Sequence, residues 1–241
     1  MAHLYISESL TEADATAVIS GPEARHAASV SRLRVGESIR VTNGRGLMIT
    51  GNAITVSSDR IDVKIESQRV ESPEIPSISL IQALAKGDRD ELAIQMATEL
   101  GVYSVYPWAA SRSISVWSGP KVAKGVERWT SIVREASKQA MRAFIPEVSE
   151  PLTSAQISAM ATTHQILVLD PTGTEAVTSI TLTDAPIVVV VGPEGGITTN
   201  ELQQFTDSGA RVVRLGPTVV RTSTAGAAAI SVLNARLGRW A

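Results

Sequence analysis

The segment Gly192-Pro193-Glu194-Gly195-Gly196 sets three glycines, a proline and one carboxylate directly behind four consecutive valines, 188–191. Its glycines carry no side chain, so a ligand there would meet backbone N–H and C=O groups at close range. Phosphate is a poor match. No Lys-Ser/Thr follows the glycines, the spacing is not G-x-G-x-x-G, and Glu194 repels anions. A neutral or cationic ligand held by backbone groups suits the composition better. For this pentapeptide alone, a tight strand-to-helix turn without ligand stays open as well. Two further turns strengthen the ligand reading: "LVLDPTG" (167–173) and "RLGPTVVRTSTAG" (214–226). Three strands ending in such turns would wall one pocket at one edge of a sheet.

The elements that would position these turns can be read from periodicity. In the first 70 residues, Ile39 and Val41 alternate, Asn43-Gly44 signals a turn, and Ile61, Val63 and Ile65 alternate again. One helix interrupts them, with Pro22 near its start and His26, Val30 and Leu33 on an apolar face. Short strands with tight turns suggest a small barrel. The two prolines of "ESPEIPS" (71–77) mark a boundary, giving domains 1–72 and 73–241. Beyond it, strands are expected at 77–84, 102–108, 164–170, 186–192 and 210–216, and helices at 88–101, 120–142 and 224–240. The first of these helices is expected to bury Leu92, Ala93, Met96, Ala97 and Leu100. Thr198-x-x-Glu201 has capping-box spacing, so another helix begins near Thr198. Apolar strands separated by helices predict an α/β domain with a parallel sheet covered on both faces.

Composition narrows the chemistry. The chain of 241 residues is 44% hydrophobic and has no cysteine, which excludes thiolate chemistry, disulfides and Cys-based zinc sites. No metal is expected. No apolar run is long enough to span a membrane, and "MAHLYISESL" lacks the pattern of a signal peptide, so a cytoplasmic location is expected. The net charge of −2 argues against a generic nucleic-acid sponge, but it is unevenly spread. Residues 21–45 hold five arginines against two acids, and 84–142 hold nine basic residues against six. Residues 143–241 are acidic on balance. A polyanion would be met by the first two segments, although local excesses of this size are also ordinary on surfaces.

Taken in order, several blocks resemble the bacterial 16S ribosomal RNA uracil-N3 methyltransferases of the SPOUT superfamily. They are "ARHAASVSRLRVGESIRVTNGRG" (24–46), "LIQALAKGDRDELAIQMATELGV" (80–102), "SRSI" (111–114), "RWTSIVREASKQAMRAFIP" (128–146), "VVVGPEGGIT" (189–198) and "LGPTVVRTSTA" (215–225). The resemblance implies a SPOUT-type parallel sheet with a C-terminal trefoil knot, an exception to the rule against threaded chains. A small PUA-like β-barrel domain would precede it. It also implies S-adenosylmethionine as cofactor, a homodimer, and methylation of one uridine of 16S rRNA (uridine 1498) on the 30S subunit.

Position by position, the resemblance assigns the cofactor to Leu169, to Gly192, Pro193, Glu194, Gly195 and Gly196, and to Leu215, Gly216, Val219, Val220, Arg221, Thr222, Thr224 and Ala225. Glu194 would either face the sulfonium cation or brace the loop through backbone amides. Ser223 stands where many relatives carry Glu, so a carboxylate role there is lost, and Ser223 is expected to cap the closing helix. Uracil N3 bears a weakly acidic proton, and Arg142, Arg221 and Arg112 are the candidates to stabilise its anion. Phosphate contacts or salt bridges are the alternative for each. Glu135 and Gln139 share a helix face near Arg142. His26 and His164 are weaker candidates for a base, His26 being more consistent with a structural role. RNA contacts are expected from Arg25, Arg32, Arg34 and Arg45, with Lys86, Arg89 and Arg112 near the site. The competing readings are a SPOUT enzyme acting on a ribose hydroxyl or another base, and a ribosome-assembly factor without catalysis.

Overall fold

The computed structural model describes residues 4–240, so the first three residues of the expected N-terminal domain and Ala241 lie outside it. Two compact units account for the chain. One runs through Pro73 and takes in Ser137–Ile145, and the other comprises Glu74–Ala136 and the chain from Pro146 onward.

The first unit is a curled five-stranded sheet with one helix. Its elements are β1 (Leu4–Ile6), β2 (Thr16–Ser20), α1 (Gly21–Ser29), β3 (Ser38–Thr42), β4 (Leu47–Val56) and β5 (Arg60–Val70), and the strand order is β1-β3-β4-β5-β2. Only β1 and β3 run parallel. The β3–β4 hairpin turns at Asn43-Gly44, where Asn43 Oδ1 accepts the N–H groups of Arg45 and Leu47. Gly44 supplies the positive φ that this turn requires. The alternating Ile39, Val41, Ile61 and Val63 are buried together with Tyr5, Ile19 and Ile49. Helix α1 covers this core with Ala24 and Ala27, whereas His26 and Val30 are exposed. The expected apolar face of His26, Val30 and Leu33 is therefore wrong. The helix ends at Ser29, before a third turn could carry Leu33 round onto that face.

Residues from the far end of a later helix complete this unit. The Thr42 hydroxyl lies 2.9 Å from both Leu47 O and Ala143 O, Gly46 N–H donates to Ala143 O, and Ile145 N–H donates to Gly44 O. Lys138 Nζ lies 3.2 Å from the Glu23 carboxylate, and both side chains are largely buried.

The second unit is an all-parallel sheet of seven strands. Along the chain it contains β6 (Ile78–Ala83), α2 (Arg89–Glu99), β7 (Ser104–Trp108), α3 (Pro120–Gln139, whose last turn enters the first unit), β8 (Glu147–Val148), α4 (Ser154–Ala159), β9 (Gln165–Leu169), β10 (Glu175–Ala176), β11 (Ile187–Val191), α5 (Thr199–Asp207), β12 (Arg211–Arg214) and α6 (Thr222–Arg236). The order is β10-β12-β9-β11-β6-β7-β8. Strands β6 and β11 are buried along their whole length, as central parallel strands covered on both faces must be. Helices α2 and α6 pack on each other and on β6, and α6 also packs on β11; α4 and α5 pair, with α5 against β12.

Two details of these helices differ from expectation. In α2 the buried row is Ala93, Ile94, Ala97 and Thr98, while Leu92 is exposed. The expected Ala93 and Ala97 are inside, but the face is rotated so that Ile94 and Thr98 join them in place of Leu92, Met96 and Leu100. Helix α6 starts at Thr222, two residues before the expected start, with Arg221 at the N-cap position. Ser223 is inside the first turn and buried, so it does not cap the helix. The apolar residues Ala227, Ala229, Ile230 and Leu233 are buried within the chain. Gly226 packs tightly here, since a Cβ there would stand 3.0 Å from Leu80 Cδ1 and push that methyl aside.

Candidate functional site

Strands β12, β9, β11 and β6 are successive parallel neighbours, so the turns that follow β9, β11 and β12 emerge at one edge of the sheet. They enclose a cavity of about 400 Å³. The turn after β9 contributes Leu169, Asp170 and Pro171, and the one after β11 contributes Gly192, Pro193, Glu194, Gly196 and Ile197. The segment after β12 supplies Val219, Val220 and Arg221, and the start of α6 supplies Thr222 and Ala225. Val191 and Arg89 complete the lining. Leu215 and Gly216 line a smaller adjoining depression of about 50 Å³ that shares Leu169, Asp170, Pro171, Val220 and Ala225 with the main cavity. Gly195 and Thr224 line neither.

The glycines are needed for distinct reasons. A Cβ on Gly192 would stand 2.6 Å from Ile197 Cγ1, so the buried Ile197 seals the inner side of the loop only because residue 192 is bare. Gly196 closes a turn by donating its N–H to Pro193 O at 2.9 Å, and does so with φ of +72°. Gly195 lies under Arg112: its carbonyl accepts from Arg112 Nη1 at 3.1 Å, and a Cβ would come 3.1 Å from Arg112 Cβ.

Both carboxylates of the loop are engaged. Glu194 Oε1 accepts from Arg89 Nη1 at 2.7 Å and from the backbone N–H of Lys86 at 3.1 Å. Burial raises its pKa, but its own backbone N–H, the Arg89 guanidinium and the Lys86 N–H together hold the carboxyl below the ordinary range. Glu201 completes the capping box: Thr198 Oγ1 accepts from Glu201 N–H, while Glu201 Oε2 accepts from Thr198 N–H and hydroxyl. Its other oxygen accepts from Ser111 N–H at 2.9 Å, from Ser111 Oγ at 2.9 Å and from Ser154 Oγ at 3.2 Å. Burial again pushes upward, and these neutral donors outweigh it, so the Glu201 carboxyl is also lowered. Asp170 Oδ1 accepts from Thr172 N–H and hydroxyl, fixing the turn after β9.

Comparison with known proteins decides the family. Residues 72–234 match the family of the RNA methyltransferase domain, and residues 19–66 match the RNA methyltransferase PUA domain. The chain belongs to the RNA methyltransferases. The ribosomal RNA small subunit methyltransferase E of Mycobacterium bovis is 37% identical over 246 residues, covering 100% of this chain and 94% of the relative. The protein of the same name from Bacillus subtilis is 29% identical, covering 90% and 88%. The crystal structure of the Neisseria gonorrhoeae ribosomal RNA small subunit methyltransferase E bound to S-adenosyl methionine superposes with a TM-score of 0.89 at 28% identity, covering 98% of each chain.

Among the arginines of this RNA methyltransferase, Arg221 lines the cavity and Arg112 crosses the glycine loop. Arg142 belongs to the first unit, where burial draws its pKa down to about 10 against the opposing pull of Glu71. Arg25, Arg32, Arg34, Arg45 and Lys86 are exposed, and Arg45 Nη2 donates to Glu8 O at 2.8 Å. Arg89, expected to meet RNA, lines the cavity and pairs with Glu194 instead of standing as an open cation. Of the histidines, His26 is exposed rather than on an apolar face, and His164 Nδ1 lies 2.8 Å from Thr163 Oγ1. Sequence reasoning missed Ser111 and Ser154 as partners of Glu201. Their separations in sequence from it leave no local signal. Among the described residues, no three or more His, Asp or Glu side chains are grouped to hold a metal, and no helix is long and apolar enough to cross a membrane.

Proposed function

We propose that the chain uses S-adenosylmethionine to methylate N3 of a single uridine of small-subunit ribosomal RNA, with the 30S particle as substrate and a homodimer as the working form. The observation that carries this reading is the cavity at the carboxyl edge of β9, β11 and β12, in a chain alike over 98% of its length to a relative bound to S-adenosyl methionine.

The cavity suits that cofactor. About 400 Å³ falls within the range of small-molecule sites. Leu169, Val191, Val219, Val220 and Ala225 offer apolar walls that exclude water from a nucleoside-sized ligand. The Asp170 and Glu194 carboxylates make the surroundings tolerable for a cation, and no lysine-bearing phosphate loop competes. S-adenosylmethionine, when bound, supplies a methyl carbon already activated by its sulfonium, so neither metal nor covalent enzyme intermediate is required. Glu194, already paired with Arg89 and Lys86 N–H, acts in this reading as a brace of the loop.

The acceptor sets a further requirement. Uracil N3 carries a proton with a pKa of about 10, close to a tyrosine phenol, and it lies on the Watson–Crick edge. The base must be unpaired, and its anion favoured, before N3 is nucleophilic. Arg112 and Arg221, beside the cavity, and Arg142, still a cation at neutral pH with a pKa near 10, are the groups that would stabilise it. Arginine donates and does not accept, so none of them is the base. The exposed Arg25, Arg32, Arg34 and Arg45 would hold phosphates. The C-terminal trefoil knot belongs to the same reading.

The test is transfer of labelled methyl from S-adenosylmethionine to 30S subunits from cells lacking the modification, followed by digestion and mass analysis. One 3-methyluridine in the decoding region is the expected product. Label on a ribose or another base would overturn the acceptor, and cofactor binding without label on any small-subunit RNA would overturn the substrate class.

A further inference from the structure

Gln82, near the end of the central strand β6, has no accessible surface. A glutamine in such a strand has to place four hydrogen-bonding positions in an apolar interior. Its Nε2 donates to Ala83 O at 3.1 Å and to Thr222 Oγ1 at 2.9 Å. Thr222 Oγ1 in turn donates to Gly192 O at 2.7 Å. Because the one hydroxyl proton of Thr222 is committed to Gly192, its oxygen can only accept from Gln82. That fixes the amide: the NH₂ faces Thr222, and Oε1 is turned into the interior, where it is buried without a partner. An orphaned acceptor is destabilising, which offsets part of what the two bonds of Nε2 contribute to the fold.

What the amide gains is control of one peptide plane. The Gly192–Pro193 peptide has no N–H, because residue 193 is proline. Its orientation can be held by hydrogen bonding only through the Gly192 carbonyl, and Thr222 holds that carbonyl. Gly192, Pro193 and Thr222 all line the cavity, whereas Gln82 lies behind it. We propose that Gln82 is a positioning residue for the cofactor loop: its buried amide keeps the Thr222 hydroxyl on the Gly192 carbonyl and so sets the wall against which the ligand packs. This inference rests on the cofactor reading given under Proposed function.

The test compares the wild-type chain with Gln82→Leu, Thr222→Val, Thr222→Ser and the Gln82→Leu/Thr222→Val pair. S-adenosylmethionine affinity is measured by calorimetry, thermal unfolding is followed without ligand, and KM is determined separately for cofactor and 30S subunits. Gln82→Leu and Thr222→Val are each expected to weaken cofactor binding about tenfold. The double variant should bind no more weakly than Thr222→Val, and Thr222→Ser, which keeps the hydroxyl, should recover most of the affinity that Thr222→Val loses. Gln82→Leu removes two hydrogen bonds along with the orphaned oxygen, so it should melt close to the wild-type temperature, with the rise in KM confined to the cofactor. Wild-type affinity in Gln82→Leu, or losses that multiply in the pair, would overturn the proposal. If Gln82→Leu does not fold, wild-type affinity in Thr222→Val overturns it equally. A wild-type chain that binds no S-adenosylmethionine would instead remove the cofactor reading, and this inference with it.

Discussion

Glu194 and Glu201 stand seven residues apart, at the two ends of one loop, and both have pKa values lowered against burial, by different sets of partners. Glu194 keeps part of its side chain in solvent and is held by a cation, Arg89, together with the N–H groups of Lys86 and of its own backbone. Glu201 is buried and held by neutral donors alone, from Thr198, Ser111 and Ser154. An ion pair near solvent is screened and contributes little, whereas a buried carboxylate satisfied by fixed dipoles cannot be lost without orphaning its donors. The loop is thus anchored firmly at its helix end and adjustably at its β11 end. A site that has to admit and release a ligand would use that asymmetry.

The largest effect should come from Glu201→Ala, which removes a capping box and strips the buried carboxylate from the donors of Thr198, Ser111 and Ser154. A loss of about 3 kcal/mol is expected, a fall in melting temperature of roughly 6–12 °C for a chain of this size, checked by denaturant and thermal unfolding. A loss below about 1 kcal/mol would erase the contrast with Glu194. Next comes the pH response. A carboxyl with a lowered native pKa stabilises the fold fully above its unfolded value of about 4.3 and loses that contribution as pH falls through the native value. Wild-type stability should therefore drop on acidification below about pH 5, and Glu201→Gln should flatten that drop more than Glu194→Gln does. Urea midpoints between pH 3 and 6 give the comparison. Ser111→Ala removes one hydroxyl donor and leaves the backbone bond, so about 1 kcal/mol is expected, and the loss should shrink in a Glu201→Gln background. The smallest effect belongs to Glu194→Gln: less than about 1 kcal/mol in dilute buffer and nothing measurable near 1 M salt. A salt-independent loss there would mean that the Lys86 N–H, not Arg89, is the main partner.

The same contrast explains what the sequence made legible. The Thr198–Glu201 box is local, and its spacing announced it. The three strands and their turns were visible from apolar runs ended by glycine, and with them the walls of the cavity. The partners of the box were not, because Ser111 lies 90 residues from Glu201 and Ser154 lies 47. Arg89 read as an open cation until its pairing with Glu194, 105 residues away, was seen. In α2, where Leu92/Met96 and Ile94/Thr98 flank the buried Ala93/Ala97 on either side, only the packing against α6 and β6 selects which flank turns inward. Residues 137–145 read as a helix end running into a loop, and nothing in their pattern tells that the hairpin at Asn43 takes them up.

The bond between Gln82 and Thr222 joins residues 140 positions apart, and Val219 to Ala225 form a wall of a cavity whose first contributor is Arg89. During synthesis, β6, α2 and β7 leave the ribosome long before that wall exists. A nascent chain consequently has no closed pocket to fill until Ala225 has cleared the exit tunnel, and occupancy of the site becomes a marker of completed folding.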